Sequence, residues 1–155
     1  MDIRFQIEQT RFNYRAAGIL IEDDHILFHR QQKDSYWALP GGGVEIGEST
    51  NESIVREWRE ELGEDITVAS TLWVTEYFFT YKQQPMHELA FYYLVQREQG
   101  KVQTEPFSGK EGDRLIYQWL PLRDLHHYDI RPNFLHKRLN EIPDSPEHLI
   151  LKGES

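Results

Sequence analysis

The chain predicts a mixed β-sheet with one central helix and one later helix, either an α+β fold or a three-layer α/β/α sandwich. Three observations lead there. A capped amphipathic helix is written between about Thr50 and Leu62. Runs rich in apolar, β-branched and aromatic residues stand on both sides of it, at 16–21, 66–81, 88–96 and 114–120. A length of 155 residues, with 39% hydrophobic and 28% charged content, suits one folded domain over 1–155 with a real core.

Taken in order, residues 3–12 alternate loosely and predict a strand or an N-terminal arm. Phe12 and Tyr14 stand at its exit beside Arg11 and Arg15. They offer either edge packing or a stacking platform for a base, with basic groups near enough for phosphate. Residues 16–21 read as a buried strand, Glu22-Asp23-Asp24 as a turn and 25–29 as the returning strand of a hairpin. His25 and His29 read as ordinary strand or turn residues, and Arg30 as a strand-end residue that either faces a substrate or ends the strand. Residues 31–36 form a loop, and 37–40 an extended lead into Gly41, Gly42 and Gly43. Three successive glycines are costly in backbone entropy, so they imply a turn with unusual dihedrals or a close approach of a ligand.

The helix carries its own start and stop. Ser49 and Glu52 have capping-box spacing, and Gly63 suits the left-handed position after the last turn. Ile54, Trp58 and Leu62, with Val55, form an apolar stripe. Glu57, Glu60 and Glu61 gather on a face about 120° from it. Beyond the helix, 66–81 reads as one long or bent strand and 82–86 as a polar turn containing Pro85. Residues 88–96 read as a strand covered on both sides. A loop is expected over 97–112, then the last strand of the sheet over 114–120, stopped by Pro121. Residues 122–125 suit a single helical turn, 132–139 a C-terminal helix, and 148–151 a small strand or a dimer contact.

Seventeen basic against 26 acidic residues give a net charge of −9. That argues against a broad nucleic-acid or anionic-membrane surface but leaves room for a local phosphate pocket. The absence of cysteine removes disulfides, thiolate catalysis and cysteine-rich zinc sites. The N-terminus has no long apolar run, so a cytoplasmic location is expected. Like charges one turn apart cost a few tenths of a kcal/mol, and Glu60 and Glu61 also sit at the unfavourable end of the helix dipole. A divalent cation would offset both, and an all-oxygen donor set suits Mg2+ or Mn2+. Arg56 either steadies a carboxylate or contacts phosphate.

Gly42, Glu48 six positions on, and the run Arg56-Glu57-Trp58-Arg59-Glu60-Glu61-Leu62-Gly63 resemble the signature of the Nudix hydrolases. Every charged and glycine position of that signature is filled. Trp58 is larger than the usual aliphatic residue, and Glu64 stands where an aliphatic residue is usual. Either the helix exit is displaced or Ile66 supplies the apolar plug. The resemblance implies the α/β/α sandwich. It implies Glu57 and Glu61 as metal ligands with Glu60 as a further ligand or support. It also implies Gly42 as a loop-shaping residue and Arg56 paired with Glu48.

The implied reaction is hydrolysis of a pyrophosphate bond in a nucleoside diphosphate linked to another group, by water activated at the metal. Glu60, Glu61 and the more distant Glu111 are candidate general bases, with Glu88 and Glu105 behind them. The Lys110-Glu111-Gly112 setting resembles the nucleoside-triphosphate branch, which makes Glu111 a candidate metal ligand too. Arg15, Arg30, Gly42 and Tyr81 are candidate substrate contacts. Tyr77 and Tyr81 resemble the dinucleoside-polyphosphate branch, and Pro85 falls late for the ADP-ribose branch. Nucleoside triphosphates, nucleotide sugars and dinucleoside polyphosphates stay open as substrates. The competing readings are a non-catalytic nucleotide-binding module of the same fold and a purely structural acidic helix serving a homodimer.

Overall fold

Residues with positive φ, one or two at a time, set three reversals of the chain. In a computed structural model that describes residues 1–153, β1 (Arg4–Ile7) turns at Glu8, φ 57°, into β2 (Thr10–Ile19). Residues 154–155, the end of the expected domain, lie outside the described residues. The next reversal joins β3 (Ile21–Glu22) to β4 (His25–Gln31) through Asp23 and Asp24, φ 50° and 60°. That is the backbone of a tight hairpin turn matched to strand twist. β5 (Gly41–Gly43) and the helix α1 (Thr50–Leu62) follow. β6 (Thr67–Tyr81) then turns at Lys82 and Gln83, φ 48° and 68°, into β7 (Gln84–Gln96). β8 (Phe107–Gly109), β9 (Gly112–Pro121), a 3₁₀ turn (Leu122–His127), α2 (Leu135–Arg138) and β10 (Glu147–Lys152) complete the order.

The strands form two sheets. The larger runs β1-β2-β7-β6-β10 with β5 on β2, and the smaller β3-β4-β9-β8. The larger is mixed, because β2 and β7 are parallel and β10 is parallel to β6. Alternation sends successive side chains to opposite faces. Ala16, Leu20, Leu27, Tyr93 and Val95 pack with Ile54 and Trp58 of α1. Ala17, Ile19, Phe28 and Tyr92 pack with Leu125 of the 3₁₀ turn, Leu135 of α2 and Leu139 just after it. Helix, sheets and helix are therefore three layers, the sandwich that the resemblance implied. Trp58 is 1% exposed, and its Nε1 donates to Pro40 O at 3.2 Å. Its large ring fits because residue 18 is glycine, where a Cβ would meet the indole at 3.0 Å. Ile66, 4% exposed, plugs the helix exit, and Glu64 turns outward to Arg97 at 3.0 Å.

Several expectations are corrected. Gly41–Gly43 is a strand without positive φ, antiparallel to Arg15–Ala17. Close approach is what demands glycine there, since a Cβ on Gly41 would lie 2.7 Å from Ala17 Cα. The hairpin expected from 16–21 reduces to Ile21 and Glu22, because the chain leaves the larger sheet at Leu20. Phe12 and Tyr14 lie inside β2, not at a strand exit. Pro85 belongs to β7, opposite Thr80 and one residue before β7 gains β2 as its second neighbour, so its missing N–H costs little. The loop over 97–112 contains β8. β9 is not the last strand of one sheet; it pairs β4 in the second, and β10 adds to the first. The C-terminal helix shrinks to Leu135–Arg138, with no side-chain cap at its start. No helix among the described residues is long and apolar enough to cross a membrane.

Candidate active site

The start of α1 is fastened as its sequence dictates. Glu52 N–H donates to Ser49 Oγ at 3.1 Å, and Ser49 N–H to Glu52 Oε1 at 2.9 Å. Gly63, φ 69°, closes the other end with its N–H on Arg59 O. Between them Arg56 is the organising cation. Its Nε and Nη2 donate to the two oxygens of Glu48 at 2.6 and 3.0 Å. Nη1 donates to Glu57 at 3.0 Å and to Glu60 at 3.2 Å, and Nη2 reaches Gly43 O at 3.2 Å. The fork meets Glu48 in two-point fashion, which fixes direction as well as charge. It holds the Glu48 carboxyl below the usual carboxylate range.

Gly42 faces Glu57. A Cβ there would lie 2.6 Å from each oxygen of the Glu57 carboxylate. Glycine at 42 is thus room for a carboxylate. Gly42→Ala should displace Glu57 and cut turnover about tenfold or more while leaving the fold intact. Parallel turnover and circular dichroism measurements check this, and unchanged turnover would show that Glu57 does not need the space.

Burial raises the proton affinity of Glu57. Burial, then the neighbouring Glu57 and Glu111 carboxylates, push Glu61 up to about 8. The Tyr117 hydroxyl points at Glu61 Oε2 from 3.5 Å. Two half-buried carboxylates that repel each other, with oxygen as the only donor, fit a hard divalent ion. No group of three or more His, Cys, Asp or Glu among the described residues forms a ready cage. An ion of the magnesium kind takes one or two protein carboxylates and completes its shell elsewhere. Glu60 has a side chain 53% exposed and is tied to Arg56, so it stands outside this pair. Glu111, on the β8–β9 turn, lines a narrow cleft with Glu61, Arg114 and Tyr117.

A cavity of about 530 Å³ opens beside Glu61 between the two sheets. Six arginines line it: Arg4, Arg11, Arg15, Arg30, Arg114 and Arg131. Arg30 donates to the carbonyls of Gln31, Gln32 and Asp34 and lies over the Trp37 ring. Arg131 is paired with Asp129 at 3.1 Å. Arg15 and Arg114 have no salt bridge among the described residues, and both face His29, where burial first and then these two cations depress the imidazole to about 3. His29 is therefore neutral, with a buried Nδ1 lacking a partner. Tyr81 lines the cavity, whereas Gly42 is turned to Glu57 and Gly41 forms the wall.

Of the two readings of Phe12 and Tyr14, packing is the one the structure shows, because both rings are on the face away from the cavity. Arg11, Asn13, Arg15 and Ala17 share the cavity side of β2 by period two, while Phe12 stacks on Phe5 at 5.0 Å and Tyr14 packs toward α1. That alternation is readable from residue 11 onward once β2 is known to start at Thr10. His29, Asn13 and Arg114 line the cavity too, and no local pattern marks them, because each is an isolated polar residue in a strand.

A family model described as the NUDIX domain matches residues 13–139. Among curated proteins, the RNA pyrophosphohydrolase of Nitratiruptor sp. is 27% identical over 136 residues, 79% of this chain and 86% of that protein. The nucleoside triphosphatase NudI of Escherichia coli is 34% identical over 106 residues, 61% of this chain and 67% of that protein. Three further curated relatives are longer, and the matched stretch spans less than half of each. Among solved structures, the MutT protein of Bacillus halodurans superposes with a TM-score of 0.64 at 19% identity, covering 88% of this chain and 89% of its own. That likeness is one of fold.

Proposed function

We propose, from the premise that this chain belongs to the NUDIX family, that it hydrolyses the pyrophosphate linkage of a nucleoside diphosphate carrying a further group. The family's hydrolases act on nucleoside diphosphate derivatives and generally use divalent metal ions. Here Glu57 and Glu61 are the metal carboxylates, with Glu60 as an outer support, and the arginine-lined cavity seats the nucleotide. The observation that carries this reading is the Arg56 clamp. One guanidinium holds Glu48 and Glu57 at once, beside a Glu61 that burial and repulsion leave short of positive charge.

A divalent cation, when bound, neutralises phosphate oxygens and acidifies water. The chain's own residues do the rest. Arg15 and Arg114, free of salt bridges among the described residues, bind phosphoryl oxygens and balance the charge that grows on the leaving group. Glu111 takes the proton of the attacking water, a role supported by its place across the narrow cleft from Glu61. Arginines concentrated in one cavity of a chain with net charge −9 favour a small nucleotide over an extended nucleic-acid surface. A single domain over 1–155 and a cytoplasmic setting belong to the same reading.

A panel of nucleoside triphosphates, dinucleoside polyphosphates, nucleotide sugars and ADP-ribose, incubated with Mg2+ or Mn2+ and resolved by chromatography, tests it. Metal-dependent cleavage at the anhydride is the expected result, abolished by chelator. Binding without cleavage of any member would leave a nucleotide-binding module instead.

A further inference from the structure

The floor of the cavity is one face of the larger sheet, and its rows can be followed strand by strand. Ala17 on β2 stands beside Tyr92 on β7 and pairs with Gly41, next to the Gly42 on which Glu57 rests. Two residues back the row is Arg15 and Ala90. Two further back it is Asn13, Glu88 and, on β6, Tyr77. Asn13 is four residues from Ala17, about 13 Å along the strand. Glu88 therefore lies toward the far end of the cavity from the row that meets Gly41. The separation is that between the phosphate chain of a nucleotide and its base.

Building on the nucleotide-hydrolase reading above, we propose that Glu88 and Asn13 read the nucleobase and select a guanine edge, which presents two adjacent N–H donors. Glu88 is 8% exposed and lines the cavity, and no hydrogen bond or salt bridge among the described residues reaches its carboxylate. Arg15 alone offsets the burial that raises its proton affinity. Asn13 Oδ1 is likewise buried without a partner. Acceptors buried and unsatisfied are costly, and a ligand that brings donors removes the cost. This row and the next on the same face supply an apolar wall for the ring. Tyr77 and Phe79 stack with centroids 4.2 Å apart, and Phe79 pairs with Met86 across the strands.

The chemistry distinguishes the bases. An ionised carboxylate only accepts. The N1–H and N2–H₂ groups of guanine lie side by side and match its two oxygens. Adenine and cytosine place a ring-nitrogen lone pair beside their amino group, and uracil places one donor between two acceptors. Each of these sets a lone pair against a carboxylate oxygen.

The test is binding of non-hydrolysable methylene-bridged analogues of GTP, ITP, ATP, CTP and UTP, followed by calorimetry. The native protein should bind the guanine analogue about tenfold or more tighter than the adenine, cytosine and uracil analogues, with inosine, which lacks the N2 amino group, between. Glu88→Gln offers one acceptor and one donor, the complement of adenine, so the guanine-to-adenine ratio should fall at least tenfold. Asn13→Ala should lower the ratio by a smaller factor, and decides the matter if Glu88→Gln does not fold. Equal affinity across the bases, or an unchanged ratio in a folded variant, overturns the proposal. Cleavage without base preference would sink this inference and leave the hydrolase reading standing. Guanine-selective binding without cleavage would do the reverse.

Discussion

Glu61→Gln is expected to lower kcat by about two to three orders of magnitude while making the metal-free protein more resistant to heat at pH 8. The two effects have one cause. Burial and two neighbouring carboxylates push Glu61 up to about 8 in the folded chain, whereas an unfolded glutamate titrates near 4.3. Between those values the native state holds a proton that the unfolded state has released, so stability falls as pH rises through that window. Glutamine cannot ionise and escapes the loss. A gain on the order of 1–2 kcal/mol, or about 2–8 °C in Tm, should appear in chelator at pH 8 and vanish at pH 4. Steady-state turnover with saturating Mg2+ and circular dichroism melts in chelator supply the two readings. Turnover within tenfold of the native enzyme would falsify the assignment. A variant that loses both activity and stability would make Glu61 a packing residue.

Arg56 should give the opposite pattern. Lysine retains the charge but not the fork that meets both Glu48 oxygens and Glu57 together. Arg56→Lys should cost about ten- to a hundredfold in kcat, since mutating the partners that orient metal ligands has that effect. Arg56→Ala should add a folding defect of about 3 kcal/mol, because Glu48, with a side chain 14% exposed, is left without its cation. The arginine holds Glu48 below the usual carboxylate range. Its contribution is therefore full above the ordinary carboxylate pKa and is lost as pH falls through the lowered one. Urea unfolding at neutral and acidic pH should show the gap between native and Arg56→Ala narrowing on the acid side. A gap independent of pH would mean that Arg56 acts through its alkyl stem.

The parts of this site that were legible in the sequence are those fixed by local spacing. Ser49 and Glu52 three apart, Gly63 after the last turn, and Arg56 eight residues beyond Glu48 all sit on or beside one helix, where separation in sequence is separation in space. What was hidden depends on which strands meet. Gly41–Gly43 reads as a loop until β2 is known to lie against it. Pro85 reads as a turn until Lys82 and Gln83 are seen to complete the reversal alone. Asn13 and Glu88 are 75 positions apart and neighbours only through a parallel pairing, which no local pattern announces. Two sheets replaced one because Leu20, apolar like its neighbours, carries no mark of the point at which the chain changes layers.

β10 lies beyond the stretch that matches the family. It runs parallel to β6 from Trp73 to Phe78 and is anchored there by Trp73 Nε1 donating to Glu147 at 3.0 Å and by His148 on Glu76 at 2.6 Å. Without it, the 15-residue β6 would present a long row of unanswered amide and carbonyl groups. Such a margin recruits strands from other molecules, so this short charged segment doubles as a guard against clumping. Preparations trimmed before Glu147 should be prone to precipitate even where the helix and its glutamates are intact.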